Sequence, residues 1–233
     1  MSQGLDISRE QWSGIKALYD AEIRFADEVA KQLLQEARTA SNRKLIVVIT
    51  GDHGDLFGES NILGHNLLLH DGLIRVPLIV IGINGMTDGK ETVTQHIDVT
   101  RTLSAITDVT SDQFEGQDLR DTGRTFGISQ RGIVHMDAYT KHNSEFDIEL
   151  GSNPVTAVRT TDYKYIEGGS SQLLYDLPDE ETNMSDIHPD VVEKLSDIIT
   201  DRGIIWKSDS GQEQADFGQE TQQRLQDLGY LTD

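Results

Sequence analysis

The stretch LIVVITGDHG at residues 45–54 carries the clearest structural signal in the chain. Its first five residues form an unbroken apolar run rich in β-branched side chains, which is typical of a strand covered on both faces, as in a parallel sheet. Asp52 and His53 follow the run directly, with a glycine on either side. Because ligands bind beyond the carboxyl ends of strands in open α/β sheets, the stretch predicts a central strand followed by a functional loop.

A long amphipathic helix is predicted before this strand. Ser8 followed by Gln11 forms the sequence pattern of a capping box, which marks a helix start. Apolar residues then recur at helical spacing as far as about Ala37.

The segment after Asp52 and His53 continues the alternation of helix and strand. Residues 52–72 contain several glycines and histidines and are predicted to form a loop, and residues 76–83 form a second apolar strand. A short helix is expected at residues 98–106, with Asp98 as its cap. The order predicts an α/β architecture with a mainly parallel sheet flanked by helices.

The pattern changes after about residue 110. Apolar runs there predict three strands, the second turning near Asp162, and a final helix; they span residues 132–139, 156–167, 172–177 and 189–202. Strands that follow one another without crossover helices indicate a small antiparallel sheet that packs with that helix. We therefore expect an α/β part at residues 1–125 and a smaller α+β part at residues 126–233, which ends in a polar tail from residue 208.

The composition excludes several classes of partner. The chain has 40 acidic and 20 basic residues, for a net charge of −20, which disfavours binding to nucleic acid or to an anionic membrane surface. With 25 Asp against 8 Lys, the composition resembles that of halophilic archaeal proteins adapted to molar salt. Cysteine is absent, and no stretch approaches a membrane span or a signal peptide, so a cytoplasmic protein is expected, although an absent N-terminal half could change this.

Asp52 and His53 also suggest a metal site. Carboxylate oxygens suit hard divalent cations, and an imidazole nitrogen also admits Mn²⁺ or Zn²⁺. Asp-His-Gly alone is weak evidence, because a simple turn explains most instances. The following residues strengthen it: Gly58-Glu59, Gly64-His65, His70-Asp71 and Arg75-Val76-Pro77 come next in order.

This succession resembles the sulfatases of the alkaline phosphatase superfamily. In that family a strand ends in Ser-Asp-His-Gly or a variant, a loop with Gly-Lys or Gly-His follows, and Arg-Val-Pro opens the next strand. The resemblance extends over about residues 8–203, because Leu174-Tyr175-Asp176-Leu177, with Asp179, Glu181 and Asn183 after it, matches a C-terminal stretch of the family. It implies an alkaline phosphatase-like fold.

The resemblance also implies roles for single residues. Asp52 and His53 would be ligands of the active-site cation, usually Ca²⁺ in sulfatases, with Mn²⁺ or Zn²⁺ left open by the histidine. His65 occupies the position of a Lys or His that touches the sulfate or the leaving group, so it is the catalytic and substrate-binding candidate. His70 is a second candidate for substrate binding, although a packing or hydrogen-bonding role is favoured. Asp71 and Arg75 are expected to pair and fix the loop.

The family also needs features that this sequence lacks. A formylglycine nucleophile arises from a Cys/Ser-x-Pro/Ala-x-Arg motif, and an acidic pair at the first strand completes the metal site; neither occurs here. We therefore expect a C-terminal part without its N-terminal strands, whether a truncated gene, a fragment or one piece of a split enzyme with a separate N-terminal half chain. The isolated chain is expected to be inactive.

Three functions remain open at this point. The leading one is metal-dependent hydrolysis of sulfuric esters, acting on a small molecule or a glycan. The second is a phosphodiesterase or phosphotransferase of the same superfamily. The third is a non-catalytic remnant that keeps the fold without the chemistry.

Overall fold

A computed structural model describes residues 7–86, 92–109, 114–121, 123–141, 144, 148 and 150–204. Helix α1 (Arg9–Ala40) begins where the capping box predicts: Ser8 Oγ accepts from the Gln11 amide at 3.2 Å, and the Gln11 side chain accepts from the Ser8 amide at 2.8 Å. The helix buries none of its residues. It contacts the rest of the chain near its start, where the Tyr19 ring meets Phe57 edge-on at 4.9 Å.

Strands β1 (Val47–Thr50) and β4 (Leu78–Ile81) form a two-stranded sheet, and they pair antiparallel, with Val47 opposite Ile81 and Thr50 opposite Leu78. The expectation of a mainly parallel sheet is therefore not confirmed by the described strands. An unbroken apolar run indicates a buried strand but carries no information on direction. A parallel neighbour needs a crossover, usually a helix, and the segment between these two strands contains as helical elements only a three-residue 3₁₀ turn and a four-residue α-helix.

The loop between β1 and β4, residues 51–77, has its own short elements. Strands β2 (Leu56–Phe57) and β3 (Leu63–Gly64) pair around a 3₁₀ turn at Glu59–Asn61, and helix α2 (Asp71–Ile74) follows. A core cluster fixes the loop from inside; it consists of Leu56, Ile62, Leu67, Leu73, Val134 and Ile148. The loop is therefore an ordered scaffold rather than a flexible connection.

Helix α3 (His96–Ile106) begins earlier than predicted, because Gln95 rather than Asp98 is its cap residue. Asp98 is the third residue of the helix, and its Oδ2 accepts from the Gln95 amide at 2.8 Å. Its carboxylate is buried and is bound by Arg124, whose Nε lies 2.7 Å from Oδ2. Burial raises the pKa of Asp98, but the Arg124 guanidinium outweighs that effect and leaves the pKa below its usual value.

The C-terminal part contains the predicted antiparallel sheet and helix. Its strands are hydrogen-bonded in the order β5-β6-β7-β8, helix α4 (Asp137–Thr140) lies between the first two, and α5 (Pro189–Asp201) follows the last. The strands are β5 (Gly127–Arg131), β6 (Val155–Arg159), β7 (Tyr163–Gly168) and β8 (Ser171–Asp176). The strand predicted at residues 132–139 is wrong, because the chain leaves the sheet after Arg131 and buries Val134 in the core of the loop.

Both faces of this sheet are covered. On one face Val158, Tyr165 and Leu174 pack against Leu195 and Ile199 of α5. The opposite face packs against Leu69 of the loop, through Val155, Ala157, Ile166, Leu173 and Tyr175. The C-terminal sheet thus supports the segment that carries the candidate site.

Two sequence predictions lie beyond this description. The division near residue 125 stays a prediction, and the polar tail from residue 208 lies outside the described residues. Among the helices described, none is both long and apolar enough to cross a membrane.

Candidate functional site

An open cleft of about 790 Å³ lies beyond the end of β1. Asp52, His53 and His65, which come from two places in the loop, all line it. The opposite side is formed by residues 92–97 before and at the start of α3, and by β5. Four candidates for metal or substrate binding follow from the sequence, and the fold brings three of them together; the fourth is His70.

Asp52 presents an ionised carboxylate to this cleft. Its side chain is 85% exposed. The His53 backbone amide donates to its Oδ1 at 2.9 Å, and this hydrogen bond is the main reason why the pKa of Asp52 lies below its usual value. The carboxylate is thus available to a cation at neutral pH.

His53 has one ring nitrogen free to act as a ligand. Its Nδ1 lies 2.9 Å from the Gly54 carbonyl oxygen. Because a carbonyl only accepts, Nδ1 carries the hydrogen and Nε2 keeps its lone pair. Nε2 lies 3.8 Å from Asp52 Oδ2. This arrangement, with a backbone carbonyl fixing the tautomer, is the one that metal-binding histidines adopt, so the donor set fits a divalent cation.

His65 lies beside His53, with ring centroids 4.2 Å apart. Its Nδ1 is 2.8 Å from Oδ1 of Asp55, a residue that the sequence analysis did not single out. Nitrogen and oxygen atoms of His53, Asp55 and His65 lie within 4.8 Å of one another, close enough for all three to be considered as metal ligands. The sequence signal for Asp55 is its place beside the Asp-His-Gly motif.

His70 does not line the cleft. Its Nδ1 accepts from the Gly72 amide at 2.9 Å and so caps α2. Its Nε2 lies 3.8 Å from Glu180 Oε1. Partial burial and the nearby Lys164 ammonium lower the pKa of His70.

The expected pair between Asp71 and Arg75 is absent from the described structure. Asp71 is bound instead by Arg159 of β6, whose Nη2 lies 2.8 Å from its Oδ2, and it lies 3.5 Å from Lys164. The local sequence around Asp71 did not indicate these partners, because both come from the C-terminal sheet, far along the chain. Arg75 is exposed and lines the cleft.

Lys164 is fully buried beneath the loop. Its Nζ donates to the Leu69 carbonyl at 3.0 Å and contacts the Glu180 carboxylate. Burial lowers its pKa to about 8, against the opposing attraction of Asp71.

His96, which lies two residues before the predicted start of the helix at residue 98, is a further cleft residue. Its Nε2 lies 3.0 Å from Thr50 Oγ1 at the end of β1. Both residues line the cleft. A histidine at the first position of a helix that follows a strand and a turn is the signal that could have suggested this.

The charge of the cleft differs from that of the whole chain. Three arginines line it, Arg75, Arg131 and Arg159, against Asp52 as the carboxylate among its described lining residues. The chain carries a net charge of −20. Arg159 is neutralised by its pair with Asp71, so Arg75 and Arg131 give the cleft lining a small excess of positive charge, which favours an anionic ligand.

Residues 6–109 match the family model described as Sulfatase. This segment includes β1, the loop and α3, and so it contains Asp52, His53 and His65. The match supports the sulfatase family.

Two curated bacterial proteins are similar in alignments of 191 residues that cover 79% of the chain. An uncharacterized sulfatase of Escherichia coli (strain K12), YidJ, is 26% identical over 37% of its own length. A choline-sulfatase of Rhizobium meliloti (strain 1021) is 27% identical over 36% of its length. The chain thus spans little more than a third of the length of these relatives.

A solved structure shows a similar fold. The phosphonate monoester hydrolase of Silicibacter pomeroyi superimposes with a TM-score of 0.59 at 18% identity, covering 76% of this chain and 38% of that protein. The likeness supports the fold type expected from the alkaline phosphatase superfamily.

Proposed function

We propose that this chain provides part of the active site of a metal-dependent sulfatase, a hydrolase of sulfuric esters. The observation that carries the proposal is the meeting of Asp52, His53 and His65 in one cleft beyond β1. The family match over residues 6–109 and the two sulfatase relatives support the ester class.

Asp52 and His53 would hold the divalent cation. An ionised carboxylate beside an imidazole whose Nε2 lone pair is free is a suitable donor pair. We propose Ca²⁺, and the imidazole leaves Mn²⁺ or Zn²⁺ open. When bound, the cation would shield and polarise the ester oxygens.

His65 is the proposed contact to the leaving group. Negative charge develops on the departing ester oxygen, so a proton donor placed there would assist cleavage. For His70 we propose a supporting role, because one of its ring nitrogens caps α2 and the other faces Glu180.

The substrate class we propose is a sulfate ester of a small molecule or a glycan. Arg75 and Arg131, which line the cleft, favour an anionic substrate. The acidic surface elsewhere disfavours nucleic acid and anionic membranes as partners.

We further propose that an N-terminal half outside this sequence, such as a separate half chain, supplies the nucleophile, because the given residues contain no Cys/Ser-x-Pro/Ala-x-Arg motif. Three large apolar residues of α1 are widely exposed, Leu18 at 71%, Phe25 at 68% and Leu33 at 65%. Ile79 and Ile81 of β4 are exposed as well. Exposed apolar surface of this kind is typical of an interface, and these two elements lie on either side of the loop in sequence.

Phosphoryl chemistry is the second candidate. The fold similarity to a phosphonate monoester hydrolase favours it, and a histidine ligand suits the Zn²⁺ or Mn²⁺ used in much phosphoryl chemistry.

A chimera tests the proposal. The part of the Rhizobium meliloti choline-sulfatase outside the matched region would be joined to residues 7–233 of this chain, and hydrolysis of an aryl sulfate and an aryl phosphonate would be measured. We expect metal-dependent sulfate hydrolysis that falls by about 100-fold or more in Asp52→Ala and His65→Ala. His135→Ala, which changes an exposed histidine away from the cleft, is the matched control.

Each other outcome is informative. Preference for the phosphonate would favour the second candidate. A folded chimera without turnover on either ester would contradict a hydrolytic function. Metal-dependent turnover by the isolated chain would contradict the need for a second polypeptide.

A further inference from the structure

We propose that Asp55 is a positioning residue for His65: its carboxylate holds the Nδ1 hydrogen of the imidazole and so fixes Nε2 as the atom that faces the cleft. The role of His65 toward a substrate rests on the proposed function. The orientation of its ring by Asp55 does not.

The hydrogen bond defines the tautomer. His65 Nδ1 lies 2.8 Å from Asp55 Oδ1. An ionised carboxylate only accepts hydrogen bonds, so Nδ1 must carry the hydrogen, and the second nitrogen is the one left for other partners. His65 lines the cleft whereas Asp55 is not among its lining residues, so the carboxylate supports the ring from behind.

The fold places these two residues opposite each other. Strands β2 and β3 pair with Leu56 opposite Gly64 and Phe57 opposite Leu63. One step further out along this antiparallel register, Asp55 faces His65. Leu56 is fully buried, and it anchors the strand that carries Asp55. The pair is thus fixed by backbone register and by the core of the loop, not by chance contact of two surface side chains.

A shared metal ion explains the same pair less well. Two ligands at about 2.0–2.1 Å from a tetrahedral ion are about 3.3 Å apart. The observed separation of 2.8 Å is that of a charge-assisted hydrogen bond. Coordination by Nδ1 would also require that nitrogen to lose its hydrogen. The geometry therefore favours a carboxylate–imidazole pair beside the Asp52 and His53 site.

Nitrogen NMR of the ¹⁵N-labelled chain tests the tautomer directly. At a pH where its nitrogen signals identify the neutral ring, His65 should show a protonated Nδ1 and an unprotonated Nε2. Asp55→Ala should shift the ring toward the Nε2-protonated form, and Asp55→Glu should restore at least part of the original state. His65→Gln assigns the signals, His135 serves as the internal control, and the dispersed amide signals of β5–β8 report that each variant is folded.

Three results would overturn the proposal. They are an Nε2-protonated ring in the unmodified chain, a ring that Asp55→Ala leaves unchanged in a folded variant, and direct coordination of one equivalent of Zn²⁺ by His65 Nδ1. In the chimera, Asp55→Ala should lower kcat by about 10- to 100-fold with little change in KM. Because the NMR experiment needs no turnover, an inactive chimera with the expected tautomer would refute the proposed function while leaving this inference standing.

Discussion

Arg159 and Asp71 join the C-terminal sheet to the cleft loop through a two-pronged ion pair across 88 positions of sequence. Arg159 Nε donates to Oδ1 and Oδ2 at 3.1 and 3.0 Å, and its Nη2 donates to Oδ2 at 2.8 Å. Lys164 lies 3.5 Å from the same carboxylate and contacts Glu180. The loop that carries His65 is thus fixed by charged groups of a sheet that lies far away in sequence.

The first prediction concerns this ion pair. Asp71→Ala leaves the partly buried Arg159 and the fully buried Lys164 without their shared carboxylate, so the free energy of unfolding should fall by about 3 kcal/mol. Urea unfolding followed by circular dichroism measures it. The control is Glu28→Ala, which removes an exposed pair with Lys31 on α1 and should cost less than about 0.5 kcal/mol. If Asp71→Ala cost as little unfolding free energy as Glu28→Ala, the partly buried ion pair would add nothing measurable to stability.

Sequence reasoning succeeded where the signal was local. The start of α1 is set by Ser8 and Gln11, and the positions of β6, β7, β8 and α5 follow from apolar runs broken by turn residues. Asp52, His53 and His65 meet in the cleft because one loop carries all three. Short-range patterns contain this information.

Apart from the strand expected at residues 132–139 and the start of α3, the differences concern partners distant in sequence. The direction of β1 relative to β4 depends on the path of a 27-residue loop, which the apolar pattern does not encode. Arg159 rather than Arg75 binds Asp71, and Arg124 binds Asp98 inside the protein. His96 meets Thr50 only because α3 returns to the end of β1. The partner of a charged residue depends on which segments meet in the folded chain, and the local sequence does not contain that information.

A second prediction follows from the buried Asp98 and Arg124 pair. The folded-state pKa of Asp98 lies below 3.8, so the pair stabilises the fold fully above that pH, and its contribution is lost as the pH falls through the folded pKa. The difference in unfolding free energy between the unmodified chain and Asp98→Asn should therefore be largest above about pH 4 and shrink at lower pH. Urea titrations at several pH values, in molar KCl to keep the chain folded, measure this difference.

Glu193→Gln, which changes an exposed carboxylate on α5, is the control for the pH experiment. Its difference from the unmodified chain should be small at every pH, because exposed charges interact weakly. A pH-independent difference for Asp98→Asn would contradict the assignment of the ion pair as the source of stability.

Salt should stabilise the chain. At a net charge of −20 the folded state repels itself, and the screening length falls from about 10 Å at 0.1 M to about 3 Å at 1 M salt. We expect the melting temperature to rise by several degrees between low and molar KCl, measured by differential scanning calorimetry. An equal rise in an uncharged osmolyte of the same osmolality would argue against charge screening as the cause.

The effect of removing a single negative charge should also depend on its position, and two carboxylates at opposite ends of α5 test this. Asp201 is exposed at the negative C-terminal end of the helix, where no basic residue lies in the last turn, and Asp190 is exposed in the first turn. Asp201→Asn should raise the melting temperature by about 1–3 °C at low salt, whereas Asp190→Asn should lower it. Both shifts should fade in molar KCl. Shifts of the same sign would contradict the helix-dipole explanation.

The last prediction concerns metal binding by the chain itself. Asp52 and His53 each leave a ligand atom free toward the cleft, because the His53 amide holds one side of the carboxylate and the Gly54 carbonyl holds His53 Nδ1. Paramagnetic Mn²⁺ should therefore broaden the NMR signals of Thr50, Asp52 and His53 before others, and Ca²⁺ should reverse the broadening. The titration is best done in high KCl, which screens diffuse binding to the acidic surface.

Asp52→Ala should weaken Mn²⁺ binding by about 10-fold or more, since even outer partners of metal ligands are worth about 10- to 100-fold in affinity. Asp162→Ala removes an exposed carboxylate from the turn between β6 and β7 and is the matched control, with no effect expected. Broadening that spreads evenly over the acidic surface, or that persists unchanged in Asp52→Ala, would mean that the ion binds to the overall charge of the chain. In that case the cleft would lack a metal site of its own.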